Sequence, residues 1–414
     1  MSWNINYKFS NIENNLKTVR FTTKDLKRAH KKFLDCLRSK QMECLSVVRD
    51  KSLVKDINEK TKNFSICSDI LVVGTGGSSL GSKMLTSILG KQDSKLHYLE
   101  NVDPETSKKI IGKLRPESTG IIVISKSGET IETISQLFFI MNYFLKDKEI
   151  TERILIITEK KKSTLKSIQE KLRVPFLEHS KKIGGRFSVF SNVGMLPTKV
   201  LGVDIKKILE GGEFVLDQLI DSDPNVFNPT KSALIHSNMI NNNFNINIVF
   251  TYLDSLFNFA IWTRQLWSES IGKNGIGSTL VHASGTVDQH SQLQLYLDGP
   301  KDKFISLIGK SEPLKSEKLN CFIDDKNMSN VLHRKSLGEL YFAEMKATYE
   351  TIKNKNIPTR FIELSSVDER TLGQLIMSYF IETIYTCFIL DIDPFNQPAV
   401  EEGKLLAIKY LKYV

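Results

Sequence analysis

Apolar and polar positions divide this chain into two regimes. From about residue 11 to residue 60, apolar residues recur every three or four positions among many charges, the spacing of one-sided helices. From residue 70 onward short apolar runs take over: Ile70–Val73, Leu96–Leu99, Ile121–Ile124 and Ile154–Ile157, most of them separated by longer amphipathic stretches. Continuous apolar runs in that rhythm predict strands buried on both faces, as in βαβ units with a parallel sheet. A second set, Ile246–Leu253, Leu293–Leu297, Phe304–Ile308 and Phe361–Leu364, predicts a second α/β half. The turn formers of Asp221–Thr230 predict a loop, in the region of residues 200–240 where the halves join. Gly403–Val414 reads as a last helix. The most apolar long segment, Leu375–Leu390, is shorter than a membrane span and contains Glu382, so a buried helix is expected. The expected organisation is an N-terminal helical segment over 1–60, one α/β subdomain over 61–205 and a second over 206–414 that ends in a helix.

Composition narrows this little. The 414 residues are 41% hydrophobic and 25% charged, ordinary for a globular protein with room for more than one core. A formal net charge of +10 would suit an anionic partner, but the lysines are spread along the chain. No basic run interleaved with aromatics marks a nucleic-acid surface. Five cysteines without a CxxC pair suggest neither a disulfide framework nor a zinc site, and a reducing cytosol is expected. The stretch MSWNINYKFS lacks the basic-then-apolar order of a signal peptide.

Two loops carry the candidate chemistry. Gly74–Gly81, GTGGSSLG, follows the first strand and precedes an apparent helix. Glycines there let backbone N–H groups approach a phosphate, and the helix N-terminus adds partial positive charge. The stretch fails as a P-loop because Ser82, not Lys, follows the second glycine of the GxxxxG frame. As a dinucleotide fingerprint it has Ser79 where Gly or Ala belongs, although Glu100 stands where the ribose acid would. One βα unit later comes ISKSGET, with hydroxyls at Ser125, Ser127 and Thr130 and Gly128 at the turn. Two such loops at neighbouring strand ends would face one crevice, where open α/β sheets bind ligands. Glu129 and Glu132 are the anomaly: both are carboxylates in a loop suited to anions, and both are expected in the first turn of the following helix.

Ser-x-Ser-Gly-x-Thr after a buried strand resembles the phosphosugar-binding loop of sugar isomerase (SIS) domains. Four later stretches, Gly184–Pro197, Trp267–Gly275, Gly285–Pro300 and Asn396–Lys404, together resemble the glucose-6-phosphate isomerase family. The resemblance implies an α/β fold of two SIS-type subdomains and cofactor-free, metal-free interconversion of glucose 6-phosphate and fructose 6-phosphate. It matches Glu269 to the general base and Arg186 to the arginine that stabilises the enediol. It matches His290 and Lys404 to the groups of ring opening. Ser125, Ser127 and Thr130 match phosphate-binding positions, with Lys126 and Thr133 in the same loop. Gly77, Ser78, Gly185, Gln265 and Gln397 would line the sugar site. The family's histidine comes from the neighbouring subunit, so a homodimer is implied. Two readings compete: a non-catalytic SIS-type sensor, which would not need Glu269, Arg186, His290 and Lys404 together, and a nucleotide-dependent enzyme using GTGGSSLG.

Overall fold

A computed structural model describes residues 2–90, 96–144, 150–322 and 328–413. Among these residues ten strands form two five-stranded sheets. The first holds β2 (Asp69–Val73), β3 (Leu96–Leu99), β4 (Thr119–Ile124), β5 (Ile154–Thr158) and β6 (Phe176–Glu178), ordered β3-β2-β4-β5-β6. All of its neighbours are parallel. β2, β4 and β5 are buried at every position, which is why they read as unbroken apolar runs. Strand order reverses between β2 and β4, so the turns leaving their carboxyl ends open on one crevice. Those turns are the two glycine- and hydroxyl-bearing loops.

The second sheet holds β1 (Ile5–Ser10), β7 (Ile246–Tyr252), β8 (Thr279–Ser284), β9 (Lys303–Lys310) and β10 (Thr359–Leu364), ordered β1-β10-β9-β7-β8. β1 corrects the helical reading of the first residues. It pairs antiparallel with β10, Ile5 opposite Leu364 and Ser10 opposite Thr359. Ile5 and Tyr7 are buried while Asn6 and Lys8 are exposed, the period of two that marks a half-buried edge strand. The expected helices follow over Thr23–Arg38, Glu43–Ser46 and Lys51–Lys60.

Leu293–Leu297, expected as a strand, is a helix over Leu293–Asp298. Its buried Tyr296 packs with partly buried Leu293 and Leu297, spaced i, i+3, i+4, and that spacing outweighs the apparent alternation. The strand of this region is β8, an edge strand with mixed burial that gives no apolar run. The loop expected over Asp221–Thr230 is shorter, because one helix runs to Asp221 and the next begins at Asn228. Pro229 lies in the first turn of that second helix, where a missing N–H costs nothing.

Helix Glu369–Ile389 holds all but the last residue of the segment expected to be a buried helix, and its interior is buried. Glu382 on it meets Arg360 of β10 at 2.5 Å and His236 of the helix Asn228–Asn241 at 3.1 Å. This buried charge cluster joins the helix layer to the second sheet.

Candidate active site

The turn Gly184–Arg186 and the first glycine loop interlock by close backbone approach. A Cβ on Gly77 would sit 2.2 Å from the carbonyl carbon of Gly185, so the contact admits no side chain at Gly77. Ser188 Oγ donates to the Gly77 carbonyl at 3.0 Å and seals the contact. The same packing brings Gly76 beside Gln265, whose Nε2 would lie 3.2 Å from a Cβ there. Ser78 turns the loop into its helix, its N–H on the Thr75 carbonyl.

Arg186 sits at the centre, 2% exposed, with a hydrogen bond for each of its five N–H groups. Nε donates to Ser270 Oγ at 2.8 Å, and Nη1 donates to Glu269 Oε2 at 3.1 Å and to Gln397 Oε1 at 2.8 Å. Nη2 donates to the carbonyls of Pro394 and Asn396 at 2.5 and 3.1 Å. Burial pulls the guanidinium below the ordinary arginine range, and Glu269 opposes that pull. Glu269 lies on the helix Phe257–Ile271, one turn after Gln265, whose Nε2 donates to Oε1 at 3.0 Å. Both carboxylate oxygens are therefore held from the protein side, while the side chain remains a third exposed. A cavity of about 680 Å³ opens beside it, lined by Glu269, Lys273, Asn396 and Gln397 among others.

In the second loop, Ser125 Oγ lies 2.8 Å from Thr130 Oγ1 and accepts the Gly128 N–H at 3.2 Å. Ser127 Oγ accepts the Glu129 N–H at 3.1 Å and lies 3.5 Å from Thr130 Oγ1. Gly128 takes φ +70°, and a Cβ there would meet Ser163 Oγ at 2.2 Å. Lys126 is half-buried; burial draws its ammonium below the usual lysine range, with Glu159 acting against it. Thr133 is fully buried in the helix that follows, and its Oγ1 has no hydrogen-bond partner.

The loop carboxylates are explained by the same geometry. The following helix begins at Ile131, so Glu132 lies in its first turn but Glu129 precedes it, a correction to the expected helix start. Glu129 accepts from Thr164 instead, from its N–H at 2.7 Å and its Oγ1 at 2.8 Å, at the start of the helix Thr164–Leu172. The Leu165 N–H reaches the Gly128 carbonyl at 3.0 Å. Glu129 thus pins the loop to a neighbouring helix N-terminus, where negative charge is favoured. Glu100, the mimic of a ribose-binding acid, is ion-paired with Lys83.

Two predicted residues stand apart. His290 ends an exposed turn after β8, shaped by Asp288, which accepts from Ser284 N at 2.6 Å and Ser291 Oγ at 2.5 Å. Lys404 lies on the helix Glu401–Tyr410, exposed along its length, with Nζ 2.8 Å from Glu401. Ser270, Lys273 and the carbonyls of Asp393, Pro394 and Asn396 belong to the site but carried no signal of their own in the sequence; Ser270 and Lys273 lie inside Trp267–Gly275. Among the described residues no three His, Cys, Asp or Glu side chains converge as metal ligands.

Two parallel-rich sheets with paired loops at a switch point, beside a buried arginine paired with a partly exposed glutamate, define an α/β protein of the SIS type. The chain belongs to the phosphoglucose isomerase family, whose model matches residues 48–413. It is 34% identical, over 98% of its length and 94% of the relative's, to a probable glucose-6-phosphate isomerase of Methanococcus maripaludis. A glucose-6-phosphate isomerase of Methanocaldococcus jannaschii is 30% identical over 97% of this chain and 98% of its own. The crystal structure of a glucose-6-phosphate isomerase from Chlamydia trachomatis shares the fold, with a TM-score of 0.78 at 20% identity, covering all of this chain and 89% of the other.

Proposed function

We propose that this chain interconverts D-glucose 6-phosphate and D-fructose 6-phosphate by ring opening and proton transfer through an enediol, a step shared by glycolysis and gluconeogenesis. The carrying observation is the Arg186–Glu269 pair: a carboxylate with one face on a guanidinium and the other on a cavity. The C2 proton of the open sugar is weakly acidic, so a fixed carboxylate must take it and return it to C1. Negative charge then grows on the substrate oxygens, and a nearby guanidinium stabilises it more in the transition state than in the ground state. The phosphate is remote from the reacting carbons. Its place in this reading is the loop of Ser125, Lys126, Ser127 and Thr130, where its binding energy orients the sugar.

Ring opening needs an acid and a base near the ring oxygen and the C1 hydroxyl, the roles assigned to His290 and Lys404. Both are exposed in the single chain. The helix bearing Lys404 also exposes Leu405, Leu406, Ile408, Tyr410 and the following Leu411. Such an apolar surface favours a covered state, and we read it as the face of a homodimer in which His290 serves the neighbouring subunit's site. All five cysteines are free, which suits the cytosol.

The test is a coupled assay from fructose 6-phosphate to glucose 6-phosphate with purified protein and no added metal. Turnover supports the reading, and a folded, inactive dimer overturns it. Mannose 6-phosphate, assayed alongside, measures how broad the sugar preference is.

A further inference from the structure

Arg186 joins the helix of Glu269 and Ser270 to the segment Pro394–Gln397. A second cation grips the same two elements. Lys273 follows the helix of Glu269, and its Nζ donates to the Ser270 carbonyl at 2.9 Å and to the Asp393 carbonyl at 2.5 Å. Ser270 is therefore held at both oxygens, Oγ by Arg186 and the carbonyl by Lys273, with Cys387 Sγ also 3.4 Å from that carbonyl. On the other side, three carbonyls within four residues, those of Asp393, Pro394 and Asn396, turn toward these two cations. That segment also carries Gln397, which Arg186 holds, and it leads into the helix of Lys404.

The backbone of Lys273 is itself fixed. Its N–H donates to the Ile276 carbonyl at 3.1 Å, and the Ile276 N–H donates back at 2.9 Å. The segment is folded locally as well, with the Phe395 N–H on Asp393 Oδ1 at 2.9 Å and the Phe395 ring against Phe187. Two locally rigid pieces thus meet at one lysine. Lys273 also lines the cavity beside Glu269. Burial and the charge of Arg186 draw its ammonium below the ordinary lysine range, while Asp393 and Glu269 favour the charged form.

We propose that Lys273 is a positioning residue for the isomerisation: it fixes the turn after the Glu269 helix to segment Asp393–Gln397, so that Glu269 stays aligned on Arg186 and Gln397. This rests on the isomerase reading above. A displaced base loses proton transfer more than it loses affinity, because the phosphate is bound by a different loop. An error of about 1 Å in such a site costs up to roughly 100-fold in rate.

The test compares wild type, Lys273→Met and Lys273→Arg by steady-state kinetics and by hydrogen–deuterium exchange over residues 391–400. The expected result for Lys273→Met is a fall in kcat of roughly 10- to 100-fold, KM within about twofold of wild type, and faster exchange in that segment. Lys273→Arg, which can still donate to both carbonyls, should recover part of kcat. If Lys273→Met does not fold, the same comparison is made on Lys273→Gln. Wild-type kcat with unchanged exchange in a folded variant overturns the inference. A fall in thermal stability without a change in kcat per folded molecule overturns it as well. An inactive wild type would instead defeat the isomerase reading and leaves the exchange comparison to judge the clamp.

Discussion

Arg186 Nη1 donates to Glu269 Oε2 at 3.1 Å, joining a turn of the first half of the chain to a helix of the second. The guanidinium is buried and the carboxylate only partly so, which leaves one face of Glu269 for substrate. Glu269→Gln keeps the shape and one of the two acceptor oxygens but cannot accept a proton at neutral pH. The expected kcat is lower by at least about 100-fold, the lower end of what general base catalysis contributes. The unfolding midpoint in urea should move little, since Arg186 keeps its other four bonds. A folded Glu269→Gln variant with full activity in the coupled assay would remove the assigned base.

If His290 crosses to the neighbouring subunit, two inactive variants complement each other. In a hybrid of Glu269→Gln and His290→Gln subunits, one of the two sites receives an intact Glu269 from one chain and an intact His290 from the other. Mixing the variants under subunit exchange should restore activity that neither has alone. Residues acting within one chain would leave the mixture dead, and sedimentation shows whether hybrids had formed.

The apolar runs of the first sheet were legible because parallel strands covered on both faces carry no polar interruption. β8 was not, since an edge strand with half-exposed positions reads like a loop. β1 carries a period of two, but only six residues long and beside helical sequence. At the site, Arg186, Glu269 and Gln397 were recoverable because each sits in a long motif, and Gln265 lies two residues before one. Lys273 sits in such a motif too, yet its contact is to a backbone carbonyl 120 residues away. Backbone carbonyls have no residue identity to read. Glu129 was legible as an anomaly but not in its partner, because Thr164 is distant in sequence and near only in the fold.

Glu129 leads to a prediction about binding rather than chemistry. Its carboxylate ties the hydroxyl loop to Thr164, so Glu129→Ala removes two of the hydrogen bonds that join the loop to that helix. A looser phosphate loop should raise KM for fructose 6-phosphate several-fold and change kcat little. Glu129→Gln, which still offers an acceptor to Thr164, should lie between. An unchanged KM in Glu129→Ala would show that the loop holds its shape without this contact.

His179 predicts how stability depends on pH. The ring is buried at the end of β6 with Nδ1 unpartnered, its backbone N–H on the Thr158 carbonyl. Burial, with Lys126 nearby and Glu159 acting against both, lowers its pKa from 6.5 to about 4. The unfolded chain therefore binds this proton at higher pH than the folded one. The contribution is complete above about pH 6.5 and is lost progressively as pH falls toward 4. A displacement of that size corresponds to something on the order of 3 kcal/mol across the window. Urea midpoints at pH 7 and pH 5 should fall further apart in the wild type than in His179→Leu, where the proton site is gone. Equal pH dependence in the two would mean that His179 is not held neutral by the fold.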